Sequence, residues 1–176
     1  YILTGGLVGN ILLIAKGYRI GEPSIEIIRG KKMTEQIDVA KELLKRYGKK
    51  IITPLDLALD HHGERSEIEV SELPKSYPIK DIGKKTVEKY SQIIRNSKTV
   101  FAKGALGVFE NKNFALGTEA IVKEIANSNA HSVLGGGHLV ASVRKFTHFP
   151  YEIILVDNKS EDGSVEWILK EQKELE

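Results

Sequence analysis

The chain has 176 residues, 41% hydrophobic and 28% charged, proportions that suit one soluble domain able to bury a core. Lys and Arg number 26 against 24 Asp and Glu, so a net charge of only +2 leaves no long-range field for nucleic acid or an anionic membrane. The absence of cysteine excludes disulfide scaffolds, zinc–thiolate centres and thiol nucleophiles, and no apolar run nears the roughly 20 residues that cross a bilayer. With no charged-then-apolar leader in view, a cytoplasmic location is expected.

In chain order, residues 2–4 form a predicted strand, followed by Gly5-Gly6 and a helical stretch, Leu7–Lys16, that Gly17 stops. Thr34 is placed to cap a helix with Ile37, Ala40, Leu43, Leu44 and Tyr47 on one face and Gly48 as its end. Lys50–Leu55 is the next predicted strand. The polar segment 60–66 follows, with a short strand expected over 67–73. A helix over 86–96 carries the apolar stripe Val87, Tyr90, Ile93 and Ile94. Strand 99–102 then leads through a glycine-bearing loop into a helix that Thr118 is placed to cap, ending near Asn127. Strand 132–134 runs into Gly135-Gly136-Gly137-His138 and helix 139–145; a strand over 152–156 and a helix over 164–175 close the series. Alternation at this spacing predicts an α/β fold in three layers, a mainly parallel sheet with helices on both faces. The chain opens inside a strand without an initiator Met and closes within a helix, which predicts a segment of a longer polypeptide.

In an open parallel sheet the strand-to-helix turns share one edge, where ligands bind. Three of these turns are glycine-rich: Gly5-Gly6, Gly104-Ala105-Leu106-Gly107 and Gly135-Gly136-Gly137. Each glycine costs roughly 0.5–1 kcal/mol against Ala in regular structure, more than a merely tight turn requires three times over. Backbone that must approach a bulky anion and offer bare amides accounts for the excess, and the helix after Gly137 adds a positive dipole end. Close packing of helix on sheet is the alternative. Neither the Walker pattern nor Gly-x-Gly-x-x-Gly is present. Glu110 is the candidate acceptor for ribose hydroxyls, with a solvated loop acid as the alternative reading.

These residues resemble phosphoglycerate kinase. Gly104-Ala105-Leu106-Gly107-Val108-Phe109-Glu110 is similar to that family's Gly-Pro-Met-Gly-Val-Phe-Glu loop. Phe114-Ala115-Leu116-Gly117-Thr118, Asp81-Ile82-Gly83-Lys84-Lys85-Thr86, Ser132 to His138, and Leu3-Thr4-Gly5-Gly6-Leu7 resemble its other motifs in order, over about residues 1–148. The resemblance implies a Rossmann-like, C-terminal nucleotide-binding domain that moves a phosphoryl group between 1,3-bisphosphoglycerate and Mg-ADP. Gly5 and Gly6 would line the adenine pocket; Gly104, Gly107 and Val108 would wall the nucleotide; Glu110 would accept from the ribose. Gly135, Gly136 and Gly137 would face the phosphates, with Gly137 at the transferring phosphoryl group as the catalytic position, and no residue is assigned as a metal ligand. Three positions depart from the family: Lys103 replaces Asn, Ala105 replaces Pro, and His138 stands where many members have an Asp that holds Mg. His138 reads either as part of the nucleotide site or as a plain helix-start residue. His61, His62, His131 and His148 show no metal-ligand spacing and are expected in loops or on the surface.

The resemblance also implies missing partners: the N-terminal domain that binds 3-phosphoglycerate, and the first strand and Gly-Gly-Ala-Lys loop of the nucleotide domain. The chain alone is therefore expected to bind adenine nucleotide weakly and not to turn over. Residues 150–176 leave this pattern, and Tyr151–Ser164 resembles the nucleotide-sugar segment of family 2 glycosyltransferases. Residues 149–176 are read as a divergent last strand-helix unit or as the start of a different domain. An inactive nucleotide-binding fragment, or a fusion carrying a glycosyltransferase segment, are the alternative functions.

Overall fold

A computed structural model describes residues 1–147, so the tail readings over 149–176, and His148, lie outside the described residues. Strand β1 (Ile2–Leu3) feeds helix α1 (Gly6–Ala15), which is followed by α2 (Glu22–Gly30) and α3 (Gln36–Tyr47). Strand β2 (Ile51–Ile52) pairs parallel to β1. The chain then forms an antiparallel hairpin, β3 (Asp56–His61) and β4 (Glu64–Glu69), and returns as β5 (Ile79–Ile82) on the other side of β3. Helix α4 (Lys84–Arg95), β6 (Thr99–Lys103), α5 (Leu116–Asn127), β7 (His131–Gly135) and α6 (Gly137–Phe146) complete the described chain. Strands β6 and β7 are again parallel.

The α/β class with parallel strand pairs and helices on both sides is as the alternation predicted. The three-stranded antiparallel sheet β4-β3-β5 is an addition to it. Three core clusters hold the layers, the smallest of them packing Leu139 and Val143 of α6 on Val122 of α5. Of the larger two, one joins Leu12 and Leu13 of α1, Ile28 of α2 and Ala40 of α3 to Leu57 and Leu59 of β3. The other joins Tyr90 and Ile94 of α4 and Ile121 and Ile125 of α5 to Leu3, Ile52, Val100, Ala102 and Leu134 of the parallel strands. Burying one such aliphatic or aromatic side chain is worth about 1.5–3 kcal/mol, so these two larger faces carry most of the fold. Between β1 and β6 lies a cleft of about 540 Å³, lined by Tyr1, Ile2 and Leu3 on one side and Thr99 to Gly104 on the other.

Several local expectations change. Thr34 does not cap α3, whose N-cap is Glu35 without a side-chain bond; Leu43 and Tyr47 of its expected stripe are exposed, while Ala40 is buried. The strand expected over 50–55 shortens to two residues, and that expected over 67–73 moves back to Glu64–Glu69 and ends in a 3-10 turn. Thr118 sits inside α5, not at its cap, because its hydroxyl is committed to the loop before the helix. Helix α2 joins these as an element the periodicity did not reveal. Pro23 opens it, and Ser24, nearly fully buried, accepts from the Ile79 amide at 2.9 Å.

Helix α4 begins at Gly83, which has no side chain to cap it. Asp56, from β3, reaches across instead. Its carboxylate accepts from the amides of Lys85 (2.9 Å) and Thr86 (2.8 Å) and from the Thr86 hydroxyl (2.6 Å). A Cβ on Gly83 would lie 2.3 Å from that carboxylate, so glycine is what admits the remote cap. At the far side of the helix the Tyr90 hydroxyl lies 2.7 Å from the Thr4 carbonyl and 3.0 Å from that of Ile52, fastening α4 to the ends of both β1 and β2.

Candidate functional site

Strands β6 and β7 end side by side, Lys103 opposite Gly135. The chain leaves β6 through Gly104 (φ 82) and β7 through Gly136 (φ 89, ψ 134), the N-cap of α6; both conformations belong to glycine. A Cβ built on Gly136 would lie 3.7 Å from Lys103 Cγ and 3.9 Å from the Gly104 nitrogen, so the two turns touch. The Gly5-Gly6 turn reaches the same loop: the Gly6 amide donates to the Leu106 carbonyl at 2.9 Å. The three glycine turns singled out in the sequence are thus gathered on one edge.

They do not face the same thing. At Gly104, Gly135 and Gly137 no described atom lies within 4 Å of an added Cβ, and the space is open. At Gly5 the added atom would overlap the Leu106 side chain (2.5 Å), and at Gly6 it would press on the Ala105 carbonyl (3.1 Å). At Gly107 it would strike the Asp81 carboxylate at 2.3 Å. Gly5, Gly6 and Gly107 therefore let protein approach protein. Gly104, Gly135 and Gly137 leave room for something else.

That space borders the start of α6. Val140 makes the first intrahelical bond of α6, to the Gly136 carbonyl, so the amides of Gly137, His138 and Leu139 precede the ladder. Gly136, Gly137 and His138 are exposed, and so is Lys103 beside them. Unpaired amides at the positive end of a helix, with an ammonium group alongside, suit a phosphate.

Glu110 belongs to the same edge. Its Oε1 is 3.2 Å from His138 Nδ1, and the Phe109 ring meets the His138 ring edge-on at 6.2 Å. Phe109 is buried while Val108 and Glu110 are exposed on either side of it. The Lys145 ammonium, from the last turn of α6, donates to the Phe109 carbonyl at 3.0 Å and lies over the Phe109 and Phe146 rings. Helix α6 thereby holds the Val108–Glu110 stretch at both of its ends. Sequence reasoning proposed Glu110 and His138 separately; their pairing spans 28 residues and has no local signature.

Beneath the loop sits Asp81, its side chain fully buried. It accepts from the amides of Ile82 (2.9 Å) and Gly117 (2.8 Å) and from Arg65 Nη1 (2.9 Å). Burial pushes the Asp81 carboxyl above its ordinary value, against the pull of the Gly117 amide and the Arg65 guanidinium. The Thr118 hydroxyl accepts from Leu106 and Gly107, and the Val108 amide donates to the Lys80 carbonyl at 2.9 Å. Asp81, Arg65, Thr118 and Lys145 are neighbours of the candidate site that the glycine pattern did not point to.

Among the described residues no group of three or more His, Asp or Glu side chains could hold a metal ion. Glu110 is shared with His138, and no carboxylate cage for Mg is built here. A Mg ion accompanying a nucleotide would rest on phosphate oxygens and water, as its preference for oxygen allows.

The family model described as phosphoglycerate kinase matches residues 1–152. The phosphoglycerate kinase of Methanococcus maripaludis is 51% identical over 142 residues, covering 80% of this chain and 34% of its own length. That of Pyrococcus abyssi is 46% identical over 149 residues, covering 82% and 36%. In space, the crystal structure of the Pyrococcus horikoshii OT3 phosphoglycerate kinase matches with a TM-score of 0.77 at 42% identity, over 82% of this chain and 37% of that one. The Coxiella burnetii phosphoglycerate kinase gives 0.71 at 27% identity. The chain spans about a third of the length of the curated relatives it matches. The family match ends at residue 152 and lends no support to a glycosyltransferase-like tail.

Proposed function

This chain belongs to the phosphoglycerate kinase family, and on that premise we propose that residues 1–147 form the part of such a kinase that holds the adenine nucleotide. One observation carries the reading: the exposed amides of α6 and the open Gly104, Gly135 and Gly137 stand together with Lys103 at the C-terminal ends of two parallel strands. In the proposed complex the phosphates lie on Gly135, Gly136 and Gly137, with His138 beside them. Gly137 faces the phosphoryl group in transit. Glu110 accepts from the ribose hydroxyls once His138 turns to the phosphates. Gly104, Gly107 and Val108 form the wall, and Gly5 and Gly6 support its adenine end by seating Leu106.

The whole reaction, transfer between 1,3-bisphosphoglycerate and Mg-ADP, requires the acid-binding domain that the remaining length of the relatives would supply. In-line phosphoryl transfer needs both substrates positioned and water excluded, so this chain alone binds nucleotide without turnover. The setting is the cytoplasm, where adenine nucleotides are plentiful; no described helix is long and apolar enough to cross a membrane. Isothermal titration of the chain with Mg-ADP tests the reading. Saturable heat is expected, and none with a uridine-diphosphate sugar. The reverse result would overturn it in favour of a sugar-nucleotide site.

A further inference from the structure

The loop that carries Val108 and Glu110 leaves the core at Gly107 and re-enters it at Gly117, and both glycines lie on one buried carboxylate. A Cβ on Gly107 would be 2.3 Å from Asp81 Oδ1, and one on Gly117 would be 2.4 Å from the same oxygen. Asp81 thus touches the two ends of an excursion whose middle residues are exposed at the candidate site. Neither end carries a side chain that would lift the backbone off the carboxylate. The Gly117 amide donates to Asp81 Oδ2, and the next residue, Thr118, accepts from the amides of Leu106 and Gly107. Each end of the loop is therefore bonded to the same small region.

The second half of the arrangement comes from the opposite edge of the sheet β4-β3-β5 to which Asp81 belongs. Arg65, on β4, sends Nη1 to Asp81 Oδ2 (2.9 Å) and to the carbonyl of Asn113 (3.2 Å), and Nη2 to the carbonyl of Ile82 (2.8 Å). Its Nε donates to Glu67 at 2.8 Å, which fixes the plane of the guanidinium. Asn113, in the middle of the excursion, returns the contact by donating to the Gly63 carbonyl at the hairpin turn (2.8 Å). A planar fork with five donors reaches all these acceptors together; an ammonium on a flexible stem does not. A buried ion pair adds little net stability, because desolvation offsets the attraction.

We propose that the Asp81–Arg65 pair positions the Gly107–Gly117 loop, and through it Val108 and Glu110, for the sugar and base of the nucleotide, without touching the ligand itself. The proposal rests on the nucleotide reading above and adds to it a division of labour. The α6 amides serve the phosphates independently of the hairpin. The ribose end depends on Arg65, whose partners are Glu67, Asp81, Ile82 and Asn113, none of them on α6.

The test compares two ligands on the unaltered chain and on Arg65→Lys and Arg65→Gln: Mg-ADP, which has a ribose, and Mg-tripolyphosphate, which has only the phosphates. The expected result is a rise of about tenfold in the Kd for ADP in both variants, the effect of one weakened hydrogen bond. Affinity for tripolyphosphate stays within about twofold. Amide exchange at Val108–Phe114, measured without ligand, quickens in both variants while that of α6 does not. Lys retains a charge beside Asp81, so a Lys variant that restores ADP binding would make the pair purely electrostatic and overturn the positioning role. Equal losses for both ligands, or none, would also overturn it. Absence of ADP heat with the unaltered chain would instead sink the nucleotide reading, and the role assigned to the pair with it.

Discussion

Replacement of Gly137 by Ala separates what the fold needs from what the ligand needs. Gly137 is the first residue of α6; no described atom lies within 4 Å of the added methyl, and its backbone is outside the left-handed region. Alanine at such a position restricts the unfolded chain more than glycine does and should raise stability by about 0.4–1 kcal/mol. The same methyl projects into the space assigned to a phosphate. Displacing one charge-assisted hydrogen bond there costs about 1.5–3 kcal/mol, so the Kd for Mg-ADP should rise by at least about tenfold. Urea denaturation and isothermal titration on the same preparation give the two numbers. Gly107→Ala is the control of opposite sign: its methyl meets the Asp81 carboxylate at 2.3 Å, and overpacking of that kind destabilises by about 1–3 kcal/mol. A Gly137→Ala protein at least as stable as its parent and binding ADP equally well would refute the assignment of this turn to phosphate.

Asp56→Ala strips the remote cap from α4, leaving the Lys85 and Thr86 amides without their acceptor while the Thr86 hydroxyl keeps the residue-56 carbonyl; a loss of about 2–4 kcal/mol in urea denaturation is expected, and less than about 1 kcal/mol would mean that water replaces the carboxylate. Burial pushes the Tyr90 hydroxyl well above its ordinary value, so the folded chain keeps that proton more firmly than the unfolded chain. Stability should therefore fall as pH rises beyond about 10, the ordinary tyrosine value. Absorbance at alkaline pH should show one of the six tyrosines ionising only as the chain unfolds, an effect that Tyr90→Phe removes.

The legible part of the fold is the part whose pattern is local. The stripe Val87, Tyr90, Ile93 and Ile94 announces α4, and Tyr90 and Ile94 are indeed buried. The glycine turns announce the edge where the site lies, since bare backbone in such numbers requires a close neighbour. The hidden part depends on partners far away in sequence. Strand β3 buries Leu57, Ala58 and Leu59 in succession, yet Asp56 and Asp60 bracket them and suggest a turn; Asp56 is tolerated inside because a helix 30 residues later needs its carboxylate. Strand β4 is mostly polar, and only its register with β3, Asp60 opposite Arg65, makes it a strand. Arg65 is therefore unreadable as a brace until Asp81 stands beside it. Thr118 misleads for a related reason: a threonine before an apolar run looks like a cap, but its hydroxyl serves the neighbouring loop. The glycines, finally, were legible as a group and not as individuals. Composition does not distinguish Gly107, pressed on a carboxylate, from Gly137, facing open space.

The cleft between β1 and β6 gives the molecule a seam. The two parallel pairs share no ladder hydrogen bond among the described residues, so packed side chains from α4 and α5 and the bond from the Gly6 amide to the Leu106 carbonyl link the two sides. Interlocked methyl groups resist compression well and sliding poorly, whereas a strand ladder resists both. Shear along the strands therefore meets little resistance at the seam itself and loads the Gly6–Leu106 bond, the point where the Gly5-Gly6 shoulder is tied to the loop that follows Gly104.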